Sequence, residues 1–209
     1  MVAMKNAVKI RSWLAVIIAV GAIVIDQIIK VAVKLNMYLH ESFSVCGDWF
    51  YIYFTENRGM AFGMEIVGKL FLTSFRLVAV SFLGYYLYRI IRNTKFPIGY
   101  VLSVALILAG AMGNIIDSLF YGEVFTHSVG QVATLVPFGE GYGDFMYGNV
   151  VDMFYFPLFS FDWPLWVPFV GGEHFIFFSP IFNFADACIS CSIVVVLLFY
   201  RKCINKPLK

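Results

Sequence analysis

The sequence predicts a membrane protein that is all-α apart from a small extracytoplasmic β element. It should have four transmembrane helices and both termini in the cytoplasm. Three observations lead there. Of the 209 residues, 61% are hydrophobic and only 13% are charged, where a soluble domain carries about 25% charged residues. Four apolar stretches reach the length of about 20 residues that a hydrocarbon core requires. Lys and Arg also alternate from one connecting segment to the next, which is how a membrane chain records its orientation.

The first span is predicted over residues 12–33 and contains Asp26 and Lys30. Its apolar part is too long for a cleavable signal peptide, and no small-residue cleavage site follows it. The second span, 70–91, carries Arg76 near its start, which reads as a long side chain snorkelling to the outer interface. The third, 96–119, is uncharged up to Asp117, and the fourth, 180–200, holds Asp186. Ten basic residues lie before the first span, between the second and third, and after the fourth. Residues 121–180 have none and hold six acids. The segments 36–69 and 121–179 are therefore expected outside, and the whole chain is read as one membrane domain. Residues 48–55 (DWFYIYFT) read as a strand, being rich in aromatics and ending in the turn-like ENRG. Residues 139–148 (GEGYGDFMYG) read as a flexible loop. Residues 156–169 mix Trp163 and Trp166 with four Phe and three Pro, a blend suited to the headgroup region.

Composition also excludes functions. A net charge of +2 without a basic tract argues against a nucleic-acid partner. Cys188 and Cys191 form a lone CxxC inside an apolar run, too few ligands for zinc; no metal site is expected. Ionisable residues within a span are costly and usually line a site or a water-filled path. At about 1.5 Å per helical residue, Asp26 lies about 21 Å from the inner start of span one and Asp117 about 31 Å from that of span three. Asp186 lies about 22 Å above the inner end of span four. Three helices thus bring an acid to one level near the outer face, and this argues for a shared site. Asp26 and Lys30 are four apart and share a helix face, either as a self-neutralising pair or as part of a substrate site. Asn114/Asp117 and Asn183/Asp186 are each three apart, so each amide is expected beside its acid, holding it without adding charge.

These residues fall into a pattern that resembles the bacterial lipoprotein signal peptidases, the signal peptidase II family. IDQIIK supplies the Asp-x-x-x-Lys of the first span with Asp26 and Lys30. NRGMAFG matches the turn after the strand, with Asn57, Gly59, Ala61, Phe62 and Gly63. GAMGNIIDS matches the end of the third span, with Gly110, Gly113, Asn114 and Asp117. VVDM supplies Asp152, and FNFAD supplies Phe182, Asn183, Ala185 and Asp186. Five motifs in order, on the expected elements, cover most of residues 12–201. The chain departs from the family at Ser118, where an Arg is expected, and at Met60 and Met153. It also departs in the 35 residues that separate Asp117 from Asp152. The extra material, about 123–147, is read as a surface insertion dispensable for chemistry, since long loop insertions cost little.

The resemblance implies an intramembrane aspartyl endopeptidase. It would cut a prolipoprotein just before a Cys that carries a diacylglyceryl group, using Asp152 and Asp186 and no metal or cofactor. Asn114 and Asn183 would orient the acids. Asp26, Lys30, Asn57, Gly59, Asp117 and Ala185 would shape the substrate pocket. The expected setting is the bacterial inner membrane, as a monomer, with the active site near the outer face and membrane lipid as neighbour. Other readings fit less well. GYGD at 141–144 imitates a presenilin-type GxGD but lies in an external loop. His40, His127 and His174 all fall outside the spans, which leaves no rhomboid-type Ser/His site. A small proton- or ion-coupled transporter using Asp26, Asp117 and Asp186 is the alternative function, but the inner halves of spans three and four are apolar.

Overall fold

The computed structural model describes residues 2–57 and 66–208. The chain begins with α1 (Val2–Asn36), then β1 (Ser42–Cys46) and β2 (Phe50–Asn57). Next come α2 (Ile66–Arg92) and α3 (Ile98–Ile116), which runs on through a π-helical turn (Asp117–Tyr121) into the short α4 (Gly122–Val124). After a long connection follow β3 (Val150–Tyr155), β4 (Phe159–Asp162), β5 (His174–Phe177) and β6 (Ile181–Phe182). The chain closes with α5 (Phe184–Phe199) and α6 (Arg201–Ile204).

Among the described residues, three helices are long and apolar enough to cross a membrane: Met4–Asn36, Gly68–Arg92 and Ile98–Val124. Their outward faces carry Ile17, Phe71, Phe75 and Phe82, all well exposed, as expected where lipid rather than protein supplies the cover. The 16-residue α5 is about 24 Å long at helical rise, shorter than the roughly 30 Å core. It is shorter than the stretch 180–200 because its first turn is fixed by a cap. The Asn183 side chain accepts from the Asp186 backbone N–H at 2.9 Å, and the Asp186 carboxylate accepts from the Asn183 N–H at 3.4 Å. This reciprocal capping box satisfies two of the donors a helix start leaves open. Asn183 therefore precedes the helix instead of sitting on it.

At one end of the bundle the basic residues clasp the connections. Arg11 donates to the carbonyls of Phe96 (2.8 Å) and Ile90 (3.2 Å). Lys206 reaches the Lys95 carbonyl at 2.7 Å, and Arg89 reaches that of Leu208 at 3.1 Å. The beginning of α1, the α2–α3 loop and the C-terminal tail thus meet at the same end. Next to them Ala15, Leu87, Ile90, Phe96, Val101 and Val196 form an apolar core.

At the opposite end lies the sheet, antiparallel throughout, with strand order β1-β2-β3-β6. The strand expected over 48–55 is β2, shifted by two residues. Its register against β3 slips between Ile52 and Thr55, so that Thr55 stands opposite Asp152. Such bulges re-aim the neighbouring side chains. The pairing of Phe154 with Phe182 and Tyr155 with Ile181 then brings β3 against the residues that lead into α5. In this way the sheet closes the 35-residue gap that separates Asp152 from α3. A separate hairpin, β4–β5, has no long-range sheet partners and presents Leu165, Trp166 and Phe169 almost fully exposed.

The segment 123–147 differs from a loose surface addition. Phe125 and Ser128 are buried, and Phe125 joins Val33, Met37, Phe54, Tyr121 and Val151 in a second apolar core. Its backbone is stitched back by Val136 N–H to the Val124 carbonyl (3.0 Å) and Tyr142 N–H to the Phe125 carbonyl (2.9 Å). The segment also encloses Lys34. This fully buried ammonium pairs with Glu56, donates to Ser128 Oγ at 3.0 Å and stands 5.0 Å from the Tyr142 ring centroid and 5.4 Å from that of Phe125. A buried lysine needs a counter-ion and acceptors, and this segment supplies part of both the seal and the acceptors.

Candidate active site

The sheet-side ends of α1, α3 and α5 converge with β3 on a buried polar cluster. Lys30 of α1 is its hub. The ammonium lies 2.9 Å from Asp26 and 2.8 Å from Asp117, and donates to Asn114 Oδ1 at 2.7 Å. The expected Asp26–Lys30 pair therefore forms, and it extends across to α3. Asp26 also accepts the Ala185 backbone N–H at 3.0 Å, which ties α1 to the first turn of α5. The close approach explains two glycines of the GAMGN run. A Cβ on Gly113 would meet the Asp26 carboxylate at 2.6 Å, and one on Gly110 the Ala185 carbonyl oxygen at 2.4 Å.

Asp117 opens the π-helical turn and is fully buried. Besides Lys30 it accepts from Gln27 Nε2 at 2.9 Å and from the Val151 N–H at 3.2 Å. Three protein donors occupy it. Gln27, which in turn accepts from the Tyr121 hydroxyl at 3.2 Å, was not singled out in the sequence. Its signal was a polar residue beside Asp26 within an otherwise apolar span.

The two Asn-x-x-Asp units work differently from one another: Asn183 and Asp186 pair locally through the capping box, whereas Asn114 and Asp117 do not. Asn114 does not turn to Asp117; it donates to Asp186 Oδ1 at 2.8 Å. Asn183 caps Asp186 and also donates to Asp152 Oδ1 at 2.6 Å, to Asn114 Oδ1 at 3.1 Å and to the Val151 carbonyl at 3.3 Å. Asn114 reaches across because its i, i+3 neighbour lies alongside on the helix while Asp186 lies in front, and Asn183 reaches Asp152 from the extended residue before α5.

Asp152 is buried on β3, and burial, with the adjoining Asp186 charge, pushes its carboxyl up to about 7 against the opposing hydrogen bond from Asn183. Asp186 is half-buried and stands between two openings. One is an apolar cavity of about 590 Å³ walled by Phe50, Phe154, Phe156, Phe178 and Phe182. The other, of about 320 Å³, is lined by Arg76, Asn114 and Ile189. Arg76 is thus not an interface snorkeller: it is half-buried beside the cluster and donates to Ser118 Oγ at 3.3 Å. Of the two acids only Asp186 lines these openings, while Asp152 lies buried behind it, joined through the Asn183 amide.

Asp26, Lys30, Asn114, Asp117, Asp152, Asn183, Ala185 and Asp186 all come together. Asn57 ends β2 opposite Val150, one strand removed from them, and Gly59, with the rest of the NRGMAFG turn, lies outside the described residues. Asp144 of the GYGD run is exposed on a loop, and Asp162 is spent on an exposed contact with His174.

Known proteins resemble this chain in both sequence and fold. Two solved bacterial membrane enzymes superpose with TM-scores of 0.57 and 0.58 at 22% and 21% identity, covering 93% and 89% of this chain and 92% and 93% of theirs. The lipoprotein signal peptidase of Porphyromonas gingivalis is 49% identical over 183 residues, which is 88% of this chain and 80% of that protein. That of Amoebophilus asiaticus is 34% identical over 204 residues, 95% of this chain and 82% of that protein. The family model for signal peptidase II matches residues 18–201, a range that holds every member of the polar cluster, and the chain accordingly belongs to the signal peptidase II family.

Proposed function

We propose that Asp152 and Asp186 are the catalytic dyad with which this bacterial membrane protease removes signal peptides from prolipoproteins, cutting just before the diacylglyceryl-modified Cys. The observation that carries the reading is Asn183. One side chain caps the helix that presents Asp186 and donates to Asp152, so the two acids are held by a single group. Asp117, the competing acid, is occupied by Lys30, Gln27 and the Val151 N–H, which supports a role in shaping the pocket.

Two neighbouring carboxyls share one proton, because both cannot easily ionise together. The protonated one donates to the carbonyl oxygen of the scissile bond and polarises it. The other accepts a proton from a water molecule, which attacks the carbonyl carbon. The tetrahedral intermediate collapses as the dyad returns a proton to the departing amine. Asn114 and Asn183 keep both carboxylates aimed during the exchange.

The setting we propose is the inner membrane, with four spans, both termini cytoplasmic and the dyad near the outer face, in a monomer. Two features support it: the clasp of basic residues at the end where the α2–α3 loop meets the tail, and the absence of Lys and Arg from 121–180. The apolar cavity beside Asp186 suits the lipid of the substrate, whose acyl chains then stay in the bilayer. The segment 123–147 is an insertion that this chain has built into its outer core.

The test is a cleavage assay with purified protein and a lipidated precursor. Wild type releases the signal peptide; Asp152→Asn and Asp186→Asn insert normally and release none. Full turnover by Asp152→Asn together with an inactive Asp117→Asn would move the dyad to Asp117 and Asp186.

A further inference from the structure

Arg76 is the charged group near the dyad to which the mechanism gives no task. It sits on α2, facing Asn114 of α3 and Asp186 of α5 across the 320 Å³ cavity. Its guanidinium interacts electrostatically with Asp186, Asp152 and Asp117, yet among the described residues no carboxylate lies within 4.0 Å of it. Its one hydrogen bond, to Ser118 Oγ, is long at 3.3 Å. A guanidinium has five N–H donors, and those of Arg76 are not sealed in protein: among the described residues the only enclosed side-chain nitrogen or oxygen without a partner is Arg11 Nε. The remaining donors are therefore accessible, on a residue that lines the cavity. A guanidinium kept within a span is costly and marks a binding path by default.

We propose that Arg76 binds substrate by donating to a carbonyl oxygen beside the scissile bond. This rests on the Asp152–Asp186 reading above. The cavity opens at Asp186, so a substrate bound for cleavage passes its nearest carbonyls in front of the guanidinium. The planar fork suits a carbonyl acceptor and leaves the dyad's own proton in place. Two parts of a lipidated precursor offer that oxygen: the peptide backbone and the ester linkages of the diacylglyceryl group. Ser118, where the family pattern expects an Arg, touches Arg76 directly. An arginine at position 118 would therefore carry its guanidinium into the neighbourhood that Arg76 occupies.

The experiment compares KM and kcat for the full-length protein and three variants: Arg76→Lys, Arg76→Gln and the double variant Arg76→Gln/Ser118→Arg. Each is assayed on two synthetic precursors, one with ester-linked acyl chains and one with ether-linked alkyl chains. Arg76→Gln is expected to raise KM about tenfold, the size of a lost charge-assisted hydrogen bond, with kcat at the pH optimum retained. The double variant should recover most of that loss, because its guanidinium returns to the same spot from the other helix. A loss confined to the ester substrate assigns the contact to the lipid carbonyl; an equal loss on both assigns it to the peptide. An unchanged KM in Arg76→Gln overturns the proposal. So does a fall in kcat with a displaced pH profile, which would make Arg76 a tuner of the acids. Should Arg76→Gln fail to insert, Arg76→Lys and the double variant carry the same comparison. Failure of the dyad reading shows separately, as turnover by Asp152→Asn, and leaves these KM ratios measurable.

Discussion

Asn183 donates a 2.6 Å hydrogen bond to Asp152, the shortest of the four bonds its side chain makes. Removing this amide should strike two functions at once. Asn183→Ala loses the cap of α5, at about 1 kcal/mol, and releases Asp152. Asn183→Ser keeps a capping oxygen but cannot span to Asp152. Both variants should lose most of their turnover of a lipidated precursor. Thermal unfolding in detergent should separate them, with Asn183→Ala the less stable of the two.

The pH profile should carry the mark of Asp152. Its carboxyl, pushed up to about 7 chiefly by burial, holds its proton to neutrality. The pair titrates as a unit, so kcat/KM should follow a bell whose alkaline limb lies near pH 7, where the shared proton is lost. A flat profile from pH 5 to 9, about the span in which the dyad changes state, would contradict a two-carboxyl mechanism.

Stability should respond to the same group. The folded protein binds this proton more tightly than the unfolded chain does. The stabilisation is therefore complete below the usual carboxylate value of 3.8 and is lost as pH rises through about 7. Asp152→Asn has no such proton to lose. Its unfolding temperature relative to wild type should rise between about pH 5 and about pH 8, measured in one detergent at fixed ionic strength.

The structure gives the 123–147 segment a different expected behaviour from a dispensable loop. Shortening it strips Phe125, Ser128 and Tyr142 from around Lys34. Lys34→Met should destabilise the fold by about 3–5 kcal/mol, since it leaves a buried carboxylate at Glu56 without its partner. At present Lys34, with Ser128 and Asn149, holds Glu56 below its usual value despite its burial. Shortening 123–147 should produce a similar loss of stability. A shortened chain with unchanged unfolding would show that the cage adds nothing.

Reporter fusions should read the orientation directly. A fusion after Asn93 should report cytoplasm, and one near Phe161 should report the outside. Reversed signals would refute the proposed sidedness and place the dyad at the wrong face for an exported substrate.

Much of the site was legible because charges in apolar helices are rare. Asp26, Lys30, Asp117 and Asp186 announced themselves by their surroundings, and their depth along each helix brought them to one level. Contacts that depend on tertiary geometry were not legible. Nothing in the i, i+3 spacing says that Asn114 serves Asp186, or that Asn183 stands before its helix and serves Asp152. Arg76 was read as an interface residue because one helix seen alone gives its depth but not its neighbours. The packing of the 123–147 segment was hidden for a related reason. A segment with few motifs looks superficial until Lys34, on a distant helix, turns out to need its Ser128 and its aromatic rings.

The order of the elements bears on when the protease becomes competent. The strand that carries Asp152 is held by both β2 and β6, and Asp186 follows every other member of the cluster along the chain. On the dyad proposed above, a chain with only α1, α2 and α3 in place can form the Lys30–Asp117 pair but lacks both catalytic acids. Activity is then expected only once α5 docks and Asn183 engages the strand. The two carboxyls thus become neighbours only in the complete fold, so turnover itself would report that the last helix has docked.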